Sequence, residues 1–175
     1  EDIRERNDRE SQMIVSEFAR QFFQHQLWES DQGRLIGLSY FRERGFRDDI
    51  IKKFGLGFCP DGKDIFTAAA QKEGYKMEFL EKTGLTIKRD DWVRDRFAGR
   101  VMFPITGISG RVIAFGGRTL SQDKTIAKYL NSPESEIYHK SRVLYGIYEA
   151  KRAIIQEDSC YLVEGYTDVI SMHQA

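Results

Sequence analysis

The chain has 175 residues, 41% of them hydrophobic, and its 27 Lys and Arg residues balance its 27 Asp and Glu residues. A chain of this size and composition buries one sizeable core, with room for two lobes. No apolar run approaches the ~18 residues that cross a bilayer, and no charged-then-apolar leader opens the chain, so a cytoplasmic location is the default expectation.

The first predicted element is a helix with a cap at Asp8 or Ser11. Apolar residues recur in it at four-residue intervals, at Ile14, Phe18 and Phe22. Because residues four apart lie on one side of a helix, this stripe is predicted to face the core.

Four shorter helices are predicted to follow. The second runs from about 34 to 44 and ends at Gly45, and the third begins at Asp48 and ends at Gly55. The last two cover 64–74 and 77–83. The chain is therefore predicted to be helical to about residue 90.

Strands are predicted after about residue 100. The apolar runs 101–105 and 111–115, joined by five residues, indicate a β-hairpin. Gly116 and Gly117 are predicted to end the second strand, where another backbone or a phosphate could approach closely. The pair lacks the spacing and the Lys-Ser/Thr of a P-loop, and glycines that end strands without a ligand are commoner.

The two cysteines, Cys59 and Cys160, lack the paired spacing of a zinc ribbon. Both are predicted to be buried free thiols. Any zinc site of a longer parent protein must then lie outside this chain.

Charge is distributed unevenly along the chain. Between residues 88 and 142 there are eleven Lys or Arg residues and six Asp or Glu residues, a net charge of +5. Local potential governs the attraction of phosphates, so this segment could bind nucleic acid although the whole chain is neutral. Chance clustering of mixed surface charges is the alternative.

The final segment combines a predicted strand with a predicted helix. Residues 160–163 indicate a short buried strand, Gly165 a sharp turn, and Thr167 the cap of a helix. Glu164 would then lie at the carboxyl end of a strand, where ligands bind in open α/β sheets and where a carboxylate can hold a divalent metal or move a proton. Asp168 is equally explained as a first-turn acid favoured by the helix dipole.

Several motifs, in this order and spacing, closely resemble the bacterial replicative DNA primase family. They are RFAGRVMFPI at 96–105, GRVIAFGGR at 110–118, KYLNSPE at 128–134, YHKSR at 138–142, LYG at 144–146 and LVEGYTDVI at 162–170. The match covers about 91–175, and YFRERG at 40–45 and FGLGF at 54–58 extend it towards the amino terminus.

The resemblance implies an α+β fold in three parts. A helical first half is followed by a subdomain with a mixed, hairpin-containing sheet, and the chain ends in the first strand and helix of an α/β Toprim module, the metal-binding unit shared with topoisomerases. Residues 1–157 would form the amino-terminal subdomain of the primase RNA polymerase domain, and 158–175 the start of Toprim. The zinc-binding and helicase-binding domains of the family would lie outside this chain.

The resemblance also implies site residues. Glu164 would be the first Toprim carboxylate, as metal ligand or proton acceptor, with Asp168 in support. The complete site would hold Mg²⁺ or Mn²⁺ with aspartates beyond Ala175. The groove for template, primer and nucleotide would be lined by Arg96, Arg100, Arg118, Lys128, Tyr129, Asn131 and Lys140. His139 is interpreted as structural, because a lone His beside a Lys offers no metal site.

The implied activity is synthesis of short RNA primers on single-stranded DNA at the replication fork. The partners would be the template, the primer and ribonucleoside triphosphates, with the replicative helicase and single-strand-binding protein contacting regions outside this chain. The fragment alone is expected to be inactive. Two alternatives remain: a noncatalytic nucleic-acid-binding module, and another Toprim enzyme, such as a topoisomerase or nuclease. The latter would have no reason to carry the motifs at 128–133 and 138–142.

Overall fold

The computed structural model of the chain describes residues 3–175. Its elements, in chain order, are α1 Ile3–Glu29, a π-helix Gly33–Leu38, α2 Ser39–Glu43, α3 Asp48–Lys53, β1 Gly57–Phe58, α4 Ile65–Lys72, α5 Met77–Lys82, β2 Thr86–Arg89, β3 Trp92–Asp95, β4 Arg100–Thr106, β5 Val112–Thr119, β6 Tyr129–Asn131, a 3₁₀ turn Lys140–Arg142, α6 Ile147–Glu157 and α7 Tyr166–Gln174.

Helix α1 is the longest element and buries a face one residue away from the predicted stripe. The fully buried apolar residues along it are Val15, Ala19, Phe23 and Leu27. Ile14 is 47% exposed, so the prediction that it faces the core is wrong. Both four-residue rows are apolar, and sequence periodicity alone does not tell which of them faces the sheet and which lies at its edge.

The short helices after α1 end where the sequence predicted. Each stops just before a glycine with positive φ: Gly45 at 85°, Gly55 at 63°, Gly74 at 91° and Gly84 at 72°. A residue with a Cβ is strained in this left-handed conformation, and glycine is not, which makes glycine the usual residue after a helix end. The predicted helix over 34–44 is present as the π-helix followed by α2.

A four-stranded sheet in the order β1-β4-β5-β6 lies against α1. The predicted hairpin is confirmed, because β4 and β5 pair in antiparallel register, up to Thr106 opposite Val112. Where a mixed sheet was expected, all pairings among the described strands are antiparallel. Gly116 and Gly117 do not end the strand, since β5 continues to Thr119.

The core divides between the two faces of this sheet. Met102 belongs to a cluster with α1, α4 and α5, whereas Val101 and Phe103 belong to a second cluster with α2 and α3. Successive side chains on a strand point to opposite faces, so β4 contributes to both clusters. Because β4 is buried on both faces, its sequence is an unbroken apolar run, and this run is what predicted the strand.

A second, two-stranded sheet forms before residue 100, where no strand was predicted. It is an antiparallel hairpin of β2 and β3, with Asp90 and Asp91 in the turn. Asp95, at the end of β3, accepts hydrogen bonds from the backbone N–H groups of Phe66 and Thr67, at the start of α4. The small hairpin therefore fixes the start of a helix about 30 residues earlier in the chain.

The predicted strand at 160–163 is absent. These residues are irregular, and Cys160, Tyr161 and Leu162 are exposed, with Tyr161 and Leu162 each 82% accessible. A strand needs a hydrogen-bonded neighbour, and none of the described strands pairs with this segment. Helix α7 does form, and it packs on the sheet through the fully buried Ile170.

The predicted α+β fold class is confirmed.

Cys59 is buried as predicted, whereas Cys160 lies in the exposed segment before α7, so the prediction that both thiols are buried is wrong for Cys160. Among residues 3–175, no helix has both the length and the apolar character that a membrane span requires.

Candidate nucleic-acid and metal site

The buried Arg100 side chain joins β5 to the loop that precedes β6. Its Nη1 donates to the carbonyl oxygens of Gly117 at 3.2 Å, Ala127 at 2.9 Å and Lys128 at 3.4 Å. Burial lowers the pKa of Arg100, and the nearby Arg96 charge lowers it further. Both effects disfavour the charged form of Arg100, which no carboxylate of the described residues balances.

Arg96 lies beside Arg100, and its hydrogen bonds among the described residues likewise go to a carbonyl. Its Nε and Nη2 donate to the Asn131 carbonyl oxygen, at 3.2 and 2.9 Å. Burial lowers the pKa of Arg96. Two guanidinium groups close enough to repel each other, with carbonyls as their partners, form a centre of positive potential.

This arrangement differs from arginines elsewhere in the chain. Arg42 pairs with Asp48 at 2.9 Å, and Arg111 pairs with Glu10 at 2.8 Å. In contrast, none of the ion pairs formed within 3–175 involves Arg96, Arg100 or Arg118. No carboxylate of the described residues therefore balances the charges of these three arginines, of which Arg96 and Arg118 are partly exposed and Arg100 is buried.

Arg118 forms a further part of the surface, with two residues that were not predicted as site residues. The Arg118 guanidinium lies 5.0 Å from the centre of the Tyr40 ring, and the Arg44 guanidinium lies 5.3 Å from it. Arg118 Nη1 donates to the Thr119 carbonyl, while its buried Nε has no hydrogen-bond partner among the described residues. Tyr40 and Arg44 both belong to the YFRERG motif, so this motif could have identified them as site residues from the sequence.

The predicted loop lysines are exposed. Lys128 follows an exposed segment, and its carbonyl accepts a hydrogen bond from the Thr119 N–H. Lys140 begins the 3₁₀ turn, and its backbone N–H donates to Glu134. No described contact joins the Lys140 side chain to the arginines, so the structure brings Lys128 near Arg100 but does not bring Lys140 to the cluster.

Tyr166 connects the arginine cluster to the segment that carries the predicted carboxylates. Its hydroxyl donates to Asn131 Oδ1 at 2.5 Å, while the Asn131 carbonyl accepts from Arg96. The ring stacks on Phe103, with centroids 5.1 Å apart. It also covers Gly116, where an added Cβ would lie 2.6 Å from the ring. The space beside the Gly116 backbone is therefore filled by an aromatic side chain and not by a ligand.

Tyr129 lies beside this junction. It is 37% exposed, and its ring centre lies 6.2 Å from that of Tyr166. A ring that is partly accessible next to unpaired arginines is placed to stack on a base or a sugar.

Glu164 and Asp168 are both exposed, and they line a shallow depression with Val163, Ser171 and Met172. Asp168 Oδ2 accepts a hydrogen bond from the Gly165 N–H at 3.1 Å and so caps α7. The geometry therefore contains the ordinary helix-capping interaction that the sequence allowed for Asp168.

Two carboxylates do not make a complete metal site. Within the described part of the chain, no group of three or more His, Cys, Asp or Glu side chains is placed to hold a metal ion. Mg²⁺ commonly uses one or two protein carboxylates together with waters and substrate phosphates. Glu164 and Asp168 thus fit part of a Mg²⁺ site in ligand type.

Residues 22–151 match the family described as the DNA primase catalytic core, N-terminal domain. The chain belongs to the bacterial DNA primase family. A DNA primase from Halalkalibacterium halodurans is 41% identical over 99% of this chain, and one from Mycobacterium tuberculosis is 39% identical over 98%. The chain spans 29% and 27% of the length of these two primases.

Solved primase structures have the same fold. The RNA polymerase domain of Mycobacterium tuberculosis primase is 38% identical, with a TM-score of 0.87 over 95% of this chain and 53% of that one. A DnaG primase catalytic domain bound to single-stranded DNA is 36% identical, with a TM-score of 0.83 over 96% of this chain and 51% of that one.

Proposed function

We propose that this chain is the template- and nucleotide-binding part of a primase that makes short RNA primers on single-stranded DNA. Residues 1–157 would form the amino-terminal subdomain of its RNA polymerase domain, and 158–175 would begin the Toprim module. The relatives' single-stranded and double-stranded DNA complexes support a nucleic-acid partner.

The observation that carries the proposal is the absence of carboxylate partners at Arg96, Arg100 and Arg118, within the described residues. A polymerase must neutralise the triphosphate and the template backbone, and charge-assisted hydrogen bonds to phosphate are among the strongest available. Guanidinium groups already neutralised by protein carboxylates would contribute little. Lys128, Tyr129 and Asn131 would extend this groove, and Lys140 would contact phosphates from its exposed turn.

Glu164 would supply the first metal-binding carboxylate, with Asp168 in support, to Mg²⁺ or Mn²⁺. A bound divalent ion would neutralise charge on the reacting phosphate and polarise the attacking hydroxyl. The arginines and Lys128 would orient the triphosphate, which lowers the entropic cost of bringing two nucleotides together. Tyr166 would hold the Glu164 segment at a fixed place beside these residues.

A noncatalytic nucleic-acid-binding role is the second candidate. It is favoured by one observation, the incomplete metal-ligand set among residues 3–175. Primer synthesis by the full-length protein separates the two candidates.

The test is Glu164→Gln in the full-length primase that carries this chain. The amide keeps the shape of the side chain but removes its charge, so primer yield is expected to fall by about 100-fold or more because metal-held charge is lost. Glu157→Gln, an exposed change at the end of α6, is the matched control and should leave the yield unchanged. Near-wild-type yield from Glu164→Gln would refute the assignment of this carboxylate.

A further inference from the structure

The β2–β3 hairpin has an outer face that the proposed groove does not include. In its register, Ile87 is opposite Arg94 and Arg89 is opposite Trp92. Directly opposed residues share a face, and alternate pairs share the same face. These four residues, Ile87, Arg89, Trp92 and Arg94, are called the hairpin face below.

The opposite side of the hairpin points inward. There Thr86 and Asp95 are buried, and they contact Thr67 of α4 through the Thr67 hydroxyl, at 2.7 Å from each. This anchoring leaves the hairpin face turned away from the core, with both of its arginines exposed.

Trp92 is partly buried, but it packs against none of the three core clusters of the described residues. Two cationic groups lie against its ring. The Arg94 guanidinium lies 4.9 Å from the centre of its ring, and the Arg89 guanidinium lies 6.0 Å from it. A tryptophan placed this way gains little from core burial, so its packing with the arginines needs another explanation.

The two arginines keep most of their hydrogen-bonding capacity. Neither forms an ion pair with a described residue, although Asp90 and Asp91 lie in the adjoining turn. Arg89 donates only to the neighbouring Lys88 carbonyl, at 3.1 Å. Each guanidinium has five N–H donors, so donors remain for phosphate oxygens.

The hairpin face also leads towards the proposed groove. Arg96 follows Arg94 by two residues, and its N–H donates to the Leu85 carbonyl at 3.0 Å, which continues the hairpin pairing. The Arg96 side chain then contacts Asn131 in the groove. A line of arginines therefore runs from Arg89 through Arg94 to Arg96.

We propose that the hairpin face binds a segment of single-stranded DNA outside the groove, with a base stacked on Trp92 and phosphates bound by Arg89 and Arg94. Aromatic rings flanked by cationic side chains bind single strands by stacking and phosphate contact with little dependence on sequence. The proposal rests on the proposed function in one respect: the strand is taken to be the template.

The first experiment uses the fluorescence of Trp92. The chain has two tryptophans, Trp28 and Trp92, so Trp28→Phe leaves Trp92 as the single reporter. Adding a twelve-nucleotide oligo-dT at low salt is expected to quench Trp92. An oligonucleotide of equal length with abasic sites retains the phosphates and should not quench it. Poly-glutamate is the control for a general anion surface.

The second experiment measures affinity by anisotropy of a labelled oligonucleotide. Trp92→Leu keeps an apolar residue but removes the stacking ring, and it should weaken binding by about tenfold without changing the salt slope. Trp92→Tyr, which keeps a ring, should recover most of the affinity. Replacing Arg89 and Arg94 with Gln should reduce the slope of log affinity against log salt by about 1.4, roughly 0.7 for each phosphate contact.

Three results would overturn the proposal: an unquenched Trp92 while the oligonucleotide binds, equal affinity of the Trp92→Leu protein, or equal quenching by poly-glutamate. Complete failure of the chain to bind oligo-dT at low salt would overturn it as well. Primer synthesis and its dependence on Glu164 test the proposed function separately. A protein that binds oligo-dT and makes primers while Trp92 stays unquenched would lose the hairpin site alone, whereas failure to bind oligo-dT would also count against the proposed groove.

Discussion

At the residue scale, the Tyr166 hydroxyl is a single group that joins two parts of the proposed site. It donates to Asn131 Oδ1, and Tyr166 lies two residues after Glu164. Glu164 is exposed and lies outside regular structure, so the Tyr166 contacts, together with the hydrogen bond from the Gly165 N–H to Asp168, limit the position of its carboxylate. A displacement of about 1 Å can reduce a rate by about 100-fold when reacting groups must be aligned.

We therefore predict that Tyr166→Phe in the full-length primase lowers kcat for primer synthesis by about tenfold and leaves affinity for single-stranded DNA unchanged. The ring still fills the space over Gly116, so the loss of stability should be only about 0.5–1.5 kcal/mol, the typical net contribution of one hydrogen bond. Tyr161→Phe, a change at an 82% exposed residue, is the control. A change in KM alone, with kcat intact, would contradict a positioning role.

Asp95 illustrates a buried charge whose role is structural. Burial raises the pKa of Asp95, while hydrogen bonds from Thr67 and from the Phe66 and Thr67 backbone lower it in part. Because the folded-state pKa lies above the unfolded value, the folded state binds more protons in the interval between them. The contribution of Asp95 to stability is then full below the unfolded pKa and is lost as pH rises through the folded pKa.

Asp95→Asn should destabilise the chain by about 1–3 kcal/mol at pH 7, because one amide N–H group would face backbone donors without an acceptor. The difference between the wild type and this variant should grow as pH falls towards the ordinary Asp value. Chemical denaturation at several pH values measures both effects, with the exposed Asp61→Asn as the control. A pH-independent difference would show that the Asp95 pKa is not raised.

At the element scale, the proposed groove is made by strand ends and exposed loops and not by one element. Arg118 comes from β5, Lys128 precedes β6, and Lys140 opens the 3₁₀ turn. Loop and strand-end side chains can be changed with little effect on packing, which makes their contribution to binding measurable.

Replacing Arg118, Lys128 and Lys140 together with Ala should weaken template binding without unfolding the chain. Each lost phosphate contact should reduce the slope of log affinity against log salt by roughly 0.7. Lys53, Lys72 and Lys76, which are exposed elsewhere, form the matched triple-Ala control. Unchanged affinity and slope in the first variant would refute the basic groove.

At the scale of the whole molecule, the described residues carry the proposed nucleic-acid groove but no group of three or more side chains placed to hold a metal ion. We predict that these 175 residues alone bind single-stranded DNA weakly and make no primer with Mg²⁺ and all four ribonucleotides. Positioning of the reacting oxygens requires more carboxylates than Glu164 and Asp168. Incubation with template and labelled ribonucleotides is the measurement, with a full-length primase as positive control, and template-dependent product would contradict the prediction.

The last segment of the chain is held to the rest of the molecule mainly by α7. Cys160, Tyr161 and Leu162 are exposed, but α7 is anchored through Ile170, Tyr166 and the hydrogen bonds of Gln174 with Gly45 and Arg47. Apolar side chains that lack a sheet of their own pack instead on the nearest apolar surface, here the face of β4 that carries Phe103.

The sequence by itself determined the family, through motifs in a characteristic order and spacing, and the resemblance implied the α+β class. The short helices that end at glycines and the β4–β5 hairpin followed from local rules and from runs of apolar residues. It also named Arg96, Arg100 and Arg118 through their motifs. Only the tertiary structure decided which row of α1 is buried, that 160–163 is not a strand, and that Tyr40 and Arg44 join Arg118. These outcomes depend on neighbours distant in sequence. The two strands β2 and β3 were likewise not predicted, because the side of the hairpin that is buried is decided by α4, which lies beneath it.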